Sequence, residues 1–301
     1  MTRVLCLGEV MVELSLEAAD PTRASVGIAG DTYNTAVYLK RSAPELEVAY
    51  ATRLGRDRFS AMIRERLRDE GISDDFVTVS DDRLPGLYAI STDAGGERSF
   101  LYWRDRSAYR TYFDAPGPDL KAMATFDVIY HSAISIAVLP DEARGRFLDW
   151  LATYRAGGGC VIFDSNYRPR LWPDAATARD AIERAWRTCD IGLPSLDDEI
   201  ALHGDENAQA VIDRLRGWGV AGGALKRGAE GPLSLSGATC PDCPPAPRVV
   251  DSTAAGDSFN GGYLGARLTG ASEAEALAAG HALASQVVQH RGAILPRGED
   301  T

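Results

Sequence analysis

The stretch Asp251-Ser252-Thr253-Ala254-Ala255-Gly256-Asp257-Ser258-Phe259-Asn260-Gly261-Gly262 gives the clearest indication of how this chain folds and what chemistry it supports. The β-branched pair Val249-Val250 before it favours a strand, and the small residues 254–256 favour a tight turn. Apolar residues then recur with a helical period, at Phe259, Tyr263, Leu264 and Leu268. The stretch therefore predicts a strand, a turn and the start of a helix.

The start of a helix carries unpaired N–H groups and a partial positive charge, so it is suited to holding phosphate or developing negative charge. Asp257 lies at the mouth of this predicted anion site, where a carboxylate can take a proton from a nucleophile. The combination indicates phosphoryl transfer to a hydroxyl group, with Asp257 as the base. The alternative is that Asp257 only caps the helix, as aspartate often does.

The composition is that of a globular enzyme and bears on the partners. The chain has 301 residues, of which 45% are hydrophobic and 25% charged, and its net charge is −11. This negative charge argues against nucleic acid or an anionic membrane as a partner. No apolar stretch approaches the ~20 residues that span a membrane, and the acidic beginning does not resemble a signal peptide. We therefore expect a cytoplasmic protein.

The cysteines do not indicate a metal site. Cys240-Pro241-Asp242-Cys243 has the spacing of a zinc ligand pair, but a tetrahedral site needs four ligands and no second pair is evident. We expect an exposed proline-rich loop there.

Short apolar runs alternate with helical stretches along the chain. The runs are Val4–Leu7, Val48–Ala51, Val128–His131, Val161–Asp164, Ile191–Pro194 and Ala224–Lys226. Nearly continuous apolar runs are typical of parallel strands that are buried on both faces. Helices are predicted over 31–42, 59–70, 140–156, 175–188, 207–218, 256–268 and 273–290, the last with a capping box formed by Ser272 and Glu275. The pattern predicts a doubly wound α/β fold, with a mostly parallel sheet and helices on both faces, in one domain over 1–301.

A second, smaller sheet is predicted from two regions that break this alternation. Residues 84–113 contain two strand-like runs around a Gly95-Gly96 turn, which reads as a β-hairpin. Residues 9–27 can supply further strands beside it. Such a sheet would project from the main body as a lid, which suits phosphoryl transfer because water must be kept away from the phosphates.

The stretch 251–262 resembles the C-terminal signature of the ribokinase-like (PfkB-type) carbohydrate kinases. The resemblance implies that Asp257 is the catalytic base and that the backbone of Ala254, Ala255 and Gly256 forms the anion hole. Neither a P-loop nor a protein-kinase glycine-rich loop occurs in the sequence. The phosphate site must therefore be built by this segment.

Two further segments resemble family signatures. Lys226-Arg227-Gly228-Ala229-Glu230-Gly231 follows a strand and resembles the family's K-x-G-x-x-G nucleotide segment, which implies ATP contacts for Lys226, Arg227, Gly228 and Gly231; a simple strand-ending turn is the alternative. The segment 30–36 resembles the sugar-binding signature, which implies substrate contacts for Gly30, Asp31 and Asn34. Asp31 or Thr32 as a helix cap is the alternative there.

Within the family, the resemblance is strongest to the 2-keto-3-deoxygluconate kinases. It rests on Gly30–Ala36, Leu84–Tyr88, Tyr102–Arg104 and Asn166–Trp172. It implies that Tyr88, Tyr102, Arg104 and Arg168 contact a sugar acid, whose carboxylate needs a cation, and that Asn166 and Arg168 border the ATP phosphates. The implied reaction is ATP- and Mg²⁺-dependent phosphorylation of the terminal hydroxyl of the sugar acid.

One segment departs from the family pattern. The family's Asn-x-x-Glu motif helps to organise magnesium-bound water, but here Ser195 stands in place of the asparagine and Asp198 in place of the glutamate, with Glu199 adjacent. The role can pass to either carboxylate, so no direct metal ligand is assigned. Mg²⁺ is still expected, because nucleotide-bound magnesium keeps most of its waters.

Several alternatives stay open from the sequence alone. The acceptor can be another sugar, such as 2-keto-3-deoxygalactonate, fructose or ribose, or the chain can be a sugar-acid sensor that has lost turnover. The edges of a projecting sheet also favour a homo-oligomer, for example a dimer formed through the lid.

Overall fold

The computed structural model describes residues 1–17, 20–92, 98–239 and 242–297. The strands in this part of the chain are β1 Arg3–Leu7, β2 Met11–Glu17, β3 Asp20–Ala29, β4 Glu47–Leu54, β5 Val77–Val79, β6 Gly86–Thr92, β7 Arg98–Trp103, β8 Val128–Ser132, β9 Cys160–Asp164, β10 Ile191–Leu193, β11 Gly222–Leu225 and β12 Leu233–Ser234. The α-helices are α1 Asp31–Ser42, α2 Arg58–Asp69, α3 Leu120–Met123, α4 Ala133–Ala137, α5 Asp141–Ala156, α6 Ala175–Arg187, α7 Leu196–His203, α8 Ala208–Gly217, α9 Ala255–Leu268 and α10 Glu273–Val287.

The main sheet has eight strands in the order β12-β11-β10-β9-β8-β1-β4-β5. The pairs from β11 to β5 are parallel, and β12 joins β11 antiparallel. The chain moves outward from β1 to β4 and β5, and then returns to β8 on the other side of β1. This reversal places the topological switch point between β1 and β8, where open α/β sheets bind ligands.

Helices cover both faces of this sheet, as the alternation along β1 shows. Leu5 and Leu7 belong to one apolar core, which also holds residues of α4, α5, α6, α7 and α8. Val4 and Cys6 belong to the other, which holds residues of α1, α2, α9 and α10. Successive side chains of a strand point to opposite faces, so each face is closed by its own layer of helices. The predicted doubly wound α/β fold is confirmed.

The smaller sheet has four strands in the order β3-β2-β6-β7. Strand β2 pairs antiparallel with β3 and parallel with β6, and β6 pairs antiparallel with β7. The predicted second sheet is therefore present, although the Gly95-Gly96 turn lies outside the described residues. After Trp103 the chain leaves the sheet and forms a short 3-10 helix, Ala108–Thr111.

Two sequence predictions about local structure are wrong. Val249 and Val250 do not form a strand, because the amides of Val250 and Asp251 donate to the carbonyl of Val288 at 2.7 and 3.1 Å instead of to a neighbouring strand. Helix α10 begins with the predicted Ser272–Glu275 capping box but ends at Val287. His290 therefore lies beyond the helix, in a turn closed by its amide on the carbonyl of Val287 at 3.0 Å. Cys240, from the predicted loop, lies outside the described residues.

Helices α1 and α9 pack closely because α9 has glycine at the contact. A Cβ added to Gly261 would lie 2.4 Å from Cβ of Tyr38 and 2.8 Å from the backbone N of Leu39. Since the backbone of α1 cannot give way as a flexible side chain does, any side chain here would push the two helices apart. Gly261 thereby sets how close α9 lies to α1.

We expect Gly261→Ala to lower the free energy of unfolding by about 1–3 kcal/mol through overpacking. Gly145→Ala in α5 is the matched control, since a Cβ there meets nothing within 4 Å, and alanine should stabilise that helix by up to about 1 kcal/mol. Urea unfolding of both variants checks the prediction. Equal stabilities for the two variants would contradict it.

Candidate active site

The carboxyl ends of the main-sheet strands bring polar residues to one edge. Glu9 follows β1, Ser132 ends β8, Asp164 ends β9 and Lys226 follows β11. The N-termini of α1 and α9 reach the same edge, since α1 supplies Asp31 and Asn34 and α9 supplies Asp257. All of these side chains are buried or nearly so.

The start of α9 is open to an anion. Ala254 is the N-cap residue in a left-handed conformation, with φ 59° and no side-chain capping bond. The amide of Ala255 donates to the carbonyl of Ser252 at 3.2 Å, whereas the amides of Gly256 and Asp257 have no partner among the described residues. Such amides point outward along the helix axis, so they present donors and a positive dipole end.

Asp257 does not cap its own helix. Its Oδ2 accepts a hydrogen bond from Nδ2 of Asn34 at 2.8 Å, across the contact between α1 and α9. Burial raises the pKa of Asp257 to about 8, with further raising by the nearby carboxylates of Asp31 and Asp164, while the bond from Asn34 and the charge of Lys226 lower it. A carboxyl group with this pKa is poised to exchange a proton near neutral pH.

This pKa predicts how turnover depends on pH. A base works only when deprotonated, and Asp257 with a pKa of about 8 carries a proton in most molecules at pH 7. We expect kcat/KM to rise about tenfold per pH unit below this pKa and to level off above it. Initial rates measured between pH 6 and 9 check this. A flat profile, or one that falls over this range, would contradict it.

A cavity of about 410 Å³ opens on one side of the α9 N-terminus, and we name it the loop-side cavity. Its apolar walls come from the loop after β11, the 245–249 segment and α10; among the lining residues are Ala229, Pro245, Ala246, Val249, Phe259, Ala284 and Val288. Ala255 and Gly256 form its end. A cavity with apolar walls and helix amides in its lining suits a base attached to a chain of phosphates.

Lys226 joins this cavity to the buried carboxylates. Its Nζ donates to Oδ1 of Asp164 at 2.9 Å and to Oδ1 of Asn260 at 3.1 Å. The same Nζ lies 3.6 Å from the place that a Cβ on Gly256 would occupy. Lys226 therefore brings a positive charge beside the unpaired amides of α9.

The other residues of the predicted nucleotide segment differ in whether they line the loop-side cavity. Arg227 and Gly228 line the loop-side cavity. The guanidinium of Arg227, however, folds back on its own loop and donates to the carbonyls of Glu230 and Gly231 and to the Glu230 carboxylate. Gly231 ends the turn with φ +75° and does not line the cavity. Its contribution is to the shape of the loop.

A second cavity, of about 670 Å³, lies between the smaller sheet and the α1 N-terminus, and we name it the lid-side cavity. It is lined by nearly all of the predicted substrate residues: Gly30, Asp31, Asn34, Tyr88, Tyr102, Arg104 and Arg168. Gly30 is required by space, since a Cβ there would lie 2.5 Å from the carbonyl oxygen of Glu9. The structure thus brings together residues that are far apart in the sequence.

Arg104 is held by a carboxylate that the sequence analysis did not identify. Its Nη2 donates to Oε2 of Glu9, and both side chains are buried. Three buried atoms of the cavity-lining residues lack a partner in the described part of the chain: Oε1 of Glu9, Nε of Arg104 and Oδ1 of Asn34. Because unpaired buried polar atoms are costly, their gathering here indicates a polar ligand.

Asp31 and Asn166 are buried and hydrogen-bonded to each other. Asp31 is therefore not the cap of α1, and the side chain of Asn166 already has a partner. Gly30 is the N-cap of α1, without a side-chain capping bond. The Asp31 Oδ2 atom accepts from Oγ of Ser132 and, at 3.1 Å, from Nδ2 of Asn166. Burial and the charge of Asp164 raise the pKa of Asp31. Asn166 has φ 21° and does not line the loop-side cavity, so its expected ATP contact stays a prediction.

Of the two carboxylates left open in the 195–199 segment, Asp198 faces the site. It accepts from the amide of Tyr167 at 3.1 Å and lies 3.4 Å from Nη1 of Arg168, while Arg168 itself lines the lid-side cavity. Glu199 instead pairs with Nη2 of Arg214 at 2.8 Å on the other side of α7. Burial raises the pKa of Glu199 to about 7, although the charge of Arg214 acts to lower it.

Comparison with known proteins identifies the family to which this arrangement belongs. A model of the pfkB family of carbohydrate kinases matches residues 1–299. The chain belongs to this family. A 2-dehydro-3-deoxygluconokinase of Dickeya dadantii is 45% identical over 97% of this chain and 96% of its own length. The enzyme of the same name from Escherichia coli K12 is 41% identical over 98% and 97%.

Solved pfkB-type structures agree with the fold. A PfkB protein from Polaromonas sp. JS666 superposes with a TM-score of 0.85 at 24% identity, covering 96% of both chains. A putative ribokinase II from E. coli, solved in complex with ATP and Mg²⁺, gives a TM-score of 0.82 at 20% identity, covering 97% of this chain and 94% of its own. At such low identity the likeness shows the common fold alone.

The sequence analysis did not identify several residues of this pfkB-family site, namely Glu9, Ser132, Asp164 and Asn260. Glu9 and Asp164 stand where predicted strands end, and this position was a usable signal. Within the described ranges, no three His, Cys, Asp or Glu side chains gather as a ready metal-ligand set, and no helix is long and apolar enough to cross a membrane.

Proposed function

We propose that this pfkB-family chain transfers the γ-phosphoryl group of ATP to the terminal hydroxyl of 2-keto-3-deoxygluconate, the compound named 2-dehydro-3-deoxygluconate in its relatives. The observation that carries the proposal is the place of Asp257. Its bond from Asn34, a residue of the lid-side cavity, and its neighbour Gly256, at the end of the loop-side cavity, put this carboxylate between the two.

The lid-side cavity is suited to an acid rather than to a neutral sugar. Arg104, Arg168 and Arg170 all line it, in a protein whose net charge is −11. Arg170 has no ion pair among the described residues, while Arg104 and Arg168 are already shared with Glu9 and Asp198. Guanidinium groups pair well with carboxylates. A neutral sugar such as ribose or fructose would leave the charge of Arg170 without a counter-charge.

The loop-side cavity is suited to ATP. Its apolar walls would take the base, and the unpaired amides of Gly256 and Asp257 with Lys226 would hold the phosphates. Magnesium, when bound with the nucleotide, would offset phosphate charge and keep most of its waters. Asp198, which lies 3.4 Å from Arg168, would be the carboxylate that accepts hydrogen bonds from such waters.

In the proposed reaction Asp257 accepts the proton of the sugar hydroxyl as its oxygen attacks the γ-phosphorus. The bond from Asn34, which itself lines the lid-side cavity, holds the carboxylate beside that cavity. Negative charge that spreads onto the transferring group and the leaving oxygen is met by the α9 amides and Lys226. The small sheet would keep water from the phosphates by covering the sugar.

The proposal is tested by identifying the product. The purified protein is incubated with ATP, Mg²⁺ and 2-keto-3-deoxygluconate, and the product is examined by ³¹P and ¹³C NMR. We expect a single phosphomonoester on the terminal hydroxyl. Phosphate on another oxygen, or ADP formed without a sugar phosphate, would overturn the assignment. No ADP and no sugar phosphate would also overturn it, and would fit a sensor that lacks turnover.

We also propose that the chain works in the cytoplasm and pairs with a second copy through the outer face of the small sheet. Leu101 and Trp103 on β7 are 57% and 59% exposed, and Val26 on β3 is 49% exposed. Exposed apolar side chains on one sheet face favour association. Light scattering of wild type and Leu101→Lys checks this: a dimer that the substitution dissociates is expected, and a wild-type monomer would contradict it.

A further inference from the structure

A row of residues crosses all four strands of the small sheet on the face that looks into the lid-side cavity. Glu13 on β2 is paired in register with Gly27 on β3 and with Tyr88 on β6. Tyr88 is in turn paired with Tyr102 on β7. Tyr88 and Tyr102 line the cavity, and their rings stack with centroids 5.7 Å apart. Glu13 lies next to Tyr88 in this row, on the side away from Tyr102.

Both carboxylate oxygens of Glu13 accept a hydrogen bond from a neighbouring hydroxyl group. The Tyr88 hydroxyl donates to Oε2 of Glu13, and the Ser15 hydroxyl donates to Oε1 at 3.0 Å. Tyr88 is 6% exposed, so its ring and hydroxyl have one orientation. A phenol has a single hydrogen to donate, and here Glu13 takes it.

We propose that Glu13 is a positioning residue, which fixes the Tyr88 hydroxyl so that its oxygen can only accept a hydrogen bond from a hydroxyl group of the sugar. This inference rests on the proposed function insofar as the lid-side cavity binds the sugar. Glu13 touches neither substrate, and it acts through Tyr88.

The proposal implies how the sugar is oriented in the lid-side cavity. Carboxylate and keto oxygens are acceptors only, so they find no partner at Tyr88 and must face donors such as the guanidinium groups. The hydroxyl-bearing part of the sugar faces Tyr88. Tyr102 is 50% exposed and its hydroxyl has no partner among the described residues, so it can still donate.

A double-variant cycle tests the inference. The variants are Glu13→Leu, which removes the acceptor, Tyr88→Phe and the two combined. Glu17→Leu is the matched control, since Glu17 is an exposed glutamate on the same strand. The sugar Kd is measured by calorimetry without turnover, together with the ATP Kd. Thermal melting confirms that each variant is folded.

We expect each single variant to weaken sugar binding about 3- to 10-fold, as the loss of one hydrogen bond would. Because Glu13 acts through the hydroxyl of Tyr88, the combined variant should be no weaker than the weaker single variant. The ATP Kd should stay within about twofold, and Glu17→Leu should bind sugar as wild type does. Effects that multiply in the combined variant, or equal losses for sugar and ATP, would overturn the role of Glu13.

The donor direction has its own test with sugar-acid analogues in which each hydroxyl in turn is replaced by hydrogen or by fluorine. Fluorine can accept weakly but cannot donate, so at the position facing Tyr88 both analogues should lose affinity equally. Retained affinity for a fluoro analogue at every position would contradict the inference. If wild type binds a different sugar, the proposed substrate fails, and the same cycle run with that sugar still decides on Glu13.

Discussion

Replacing Asp257 with asparagine is expected to lower kcat by about a thousandfold or more, while the ATP Kd does not rise. Asparagine keeps the size of the side chain and an oxygen for the bond from Asn34, which is 2.8 Å long in the structure. It cannot take a proton, and general-base catalysis contributes on the order of 10²–10⁴ in rate. The amides of Gly256 and Asp257 are backbone groups, so the phosphate site remains.

Single-turnover rates by chemical quench, with ATP binding by calorimetry, separate these two effects. Asp180→Asn, an exposed substitution on α6, controls for the loss of one negative charge elsewhere. Turnover of Asp257→Asn within tenfold of wild type would remove Asp257 from the role of base. A large loss of ATP affinity would instead indicate that the substitution has disturbed the start of α9.

Replacing Arg104 with glutamine is expected to raise the KM for the sugar acid about 30-fold or more, with little change in the KM for ATP. Removing one partner of a buried hydrogen bond between charged groups typically costs about 2–5 kcal/mol of binding free energy. Glutamine keeps an N–H donor but is shorter and uncharged, so the positive charge beside Glu9 and the cavity is removed. Since Arg104 lines the lid-side cavity and not the loop-side cavity, the effect should fall on the sugar.

Arg106→Gln is the matched control, because Arg106 follows the same strand but is exposed and lines neither cavity. Steady-state kinetics with each substrate varied in turn give both KM values. Equal increases for sugar acid and ATP would argue for a general disturbance of the site. No increase for either would leave carboxylate recognition to Arg168 and Arg170.

The main architecture could be predicted because buried parallel strands have a plain signature. Val4–Leu7, Val161–Phe163 and similar runs are apolar throughout, since helices cover both of their faces. Val249-Val250 has the same local signature and forms no strand. The pair is exposed, and its hydrogen bonds go to the residue that follows α10. These features depend on the tertiary structure, and they outweigh β-propensity.

The sequence allowed most residues of the site to be predicted, but not the contacts between them. The Asp257–Asn34 bond and the Glu9–Arg104 pair join residues that are distant in the chain, and their partners depend on how α9 packs on α1 and how β1 leads into β2. Asp198 and Glu199 are neighbours whose side chains point about 100° apart on a helix. Only the position of Arg214 shows which of them is turned away from the site.

The central claim is that the chain is an ATP-dependent kinase for an acidic sugar. It is tested most directly by kcat/KM values for a panel of acceptors with saturating ATP and Mg²⁺: 2-keto-3-deoxygluconate, 2-keto-3-deoxygalactonate, fructose and ribose. We expect 2-keto-3-deoxygluconate to exceed fructose and ribose by about a hundredfold or more, as a charge-assisted contact made by only one of the substrates would give. A neutral sugar phosphorylated as efficiently as the acid would contradict the claim.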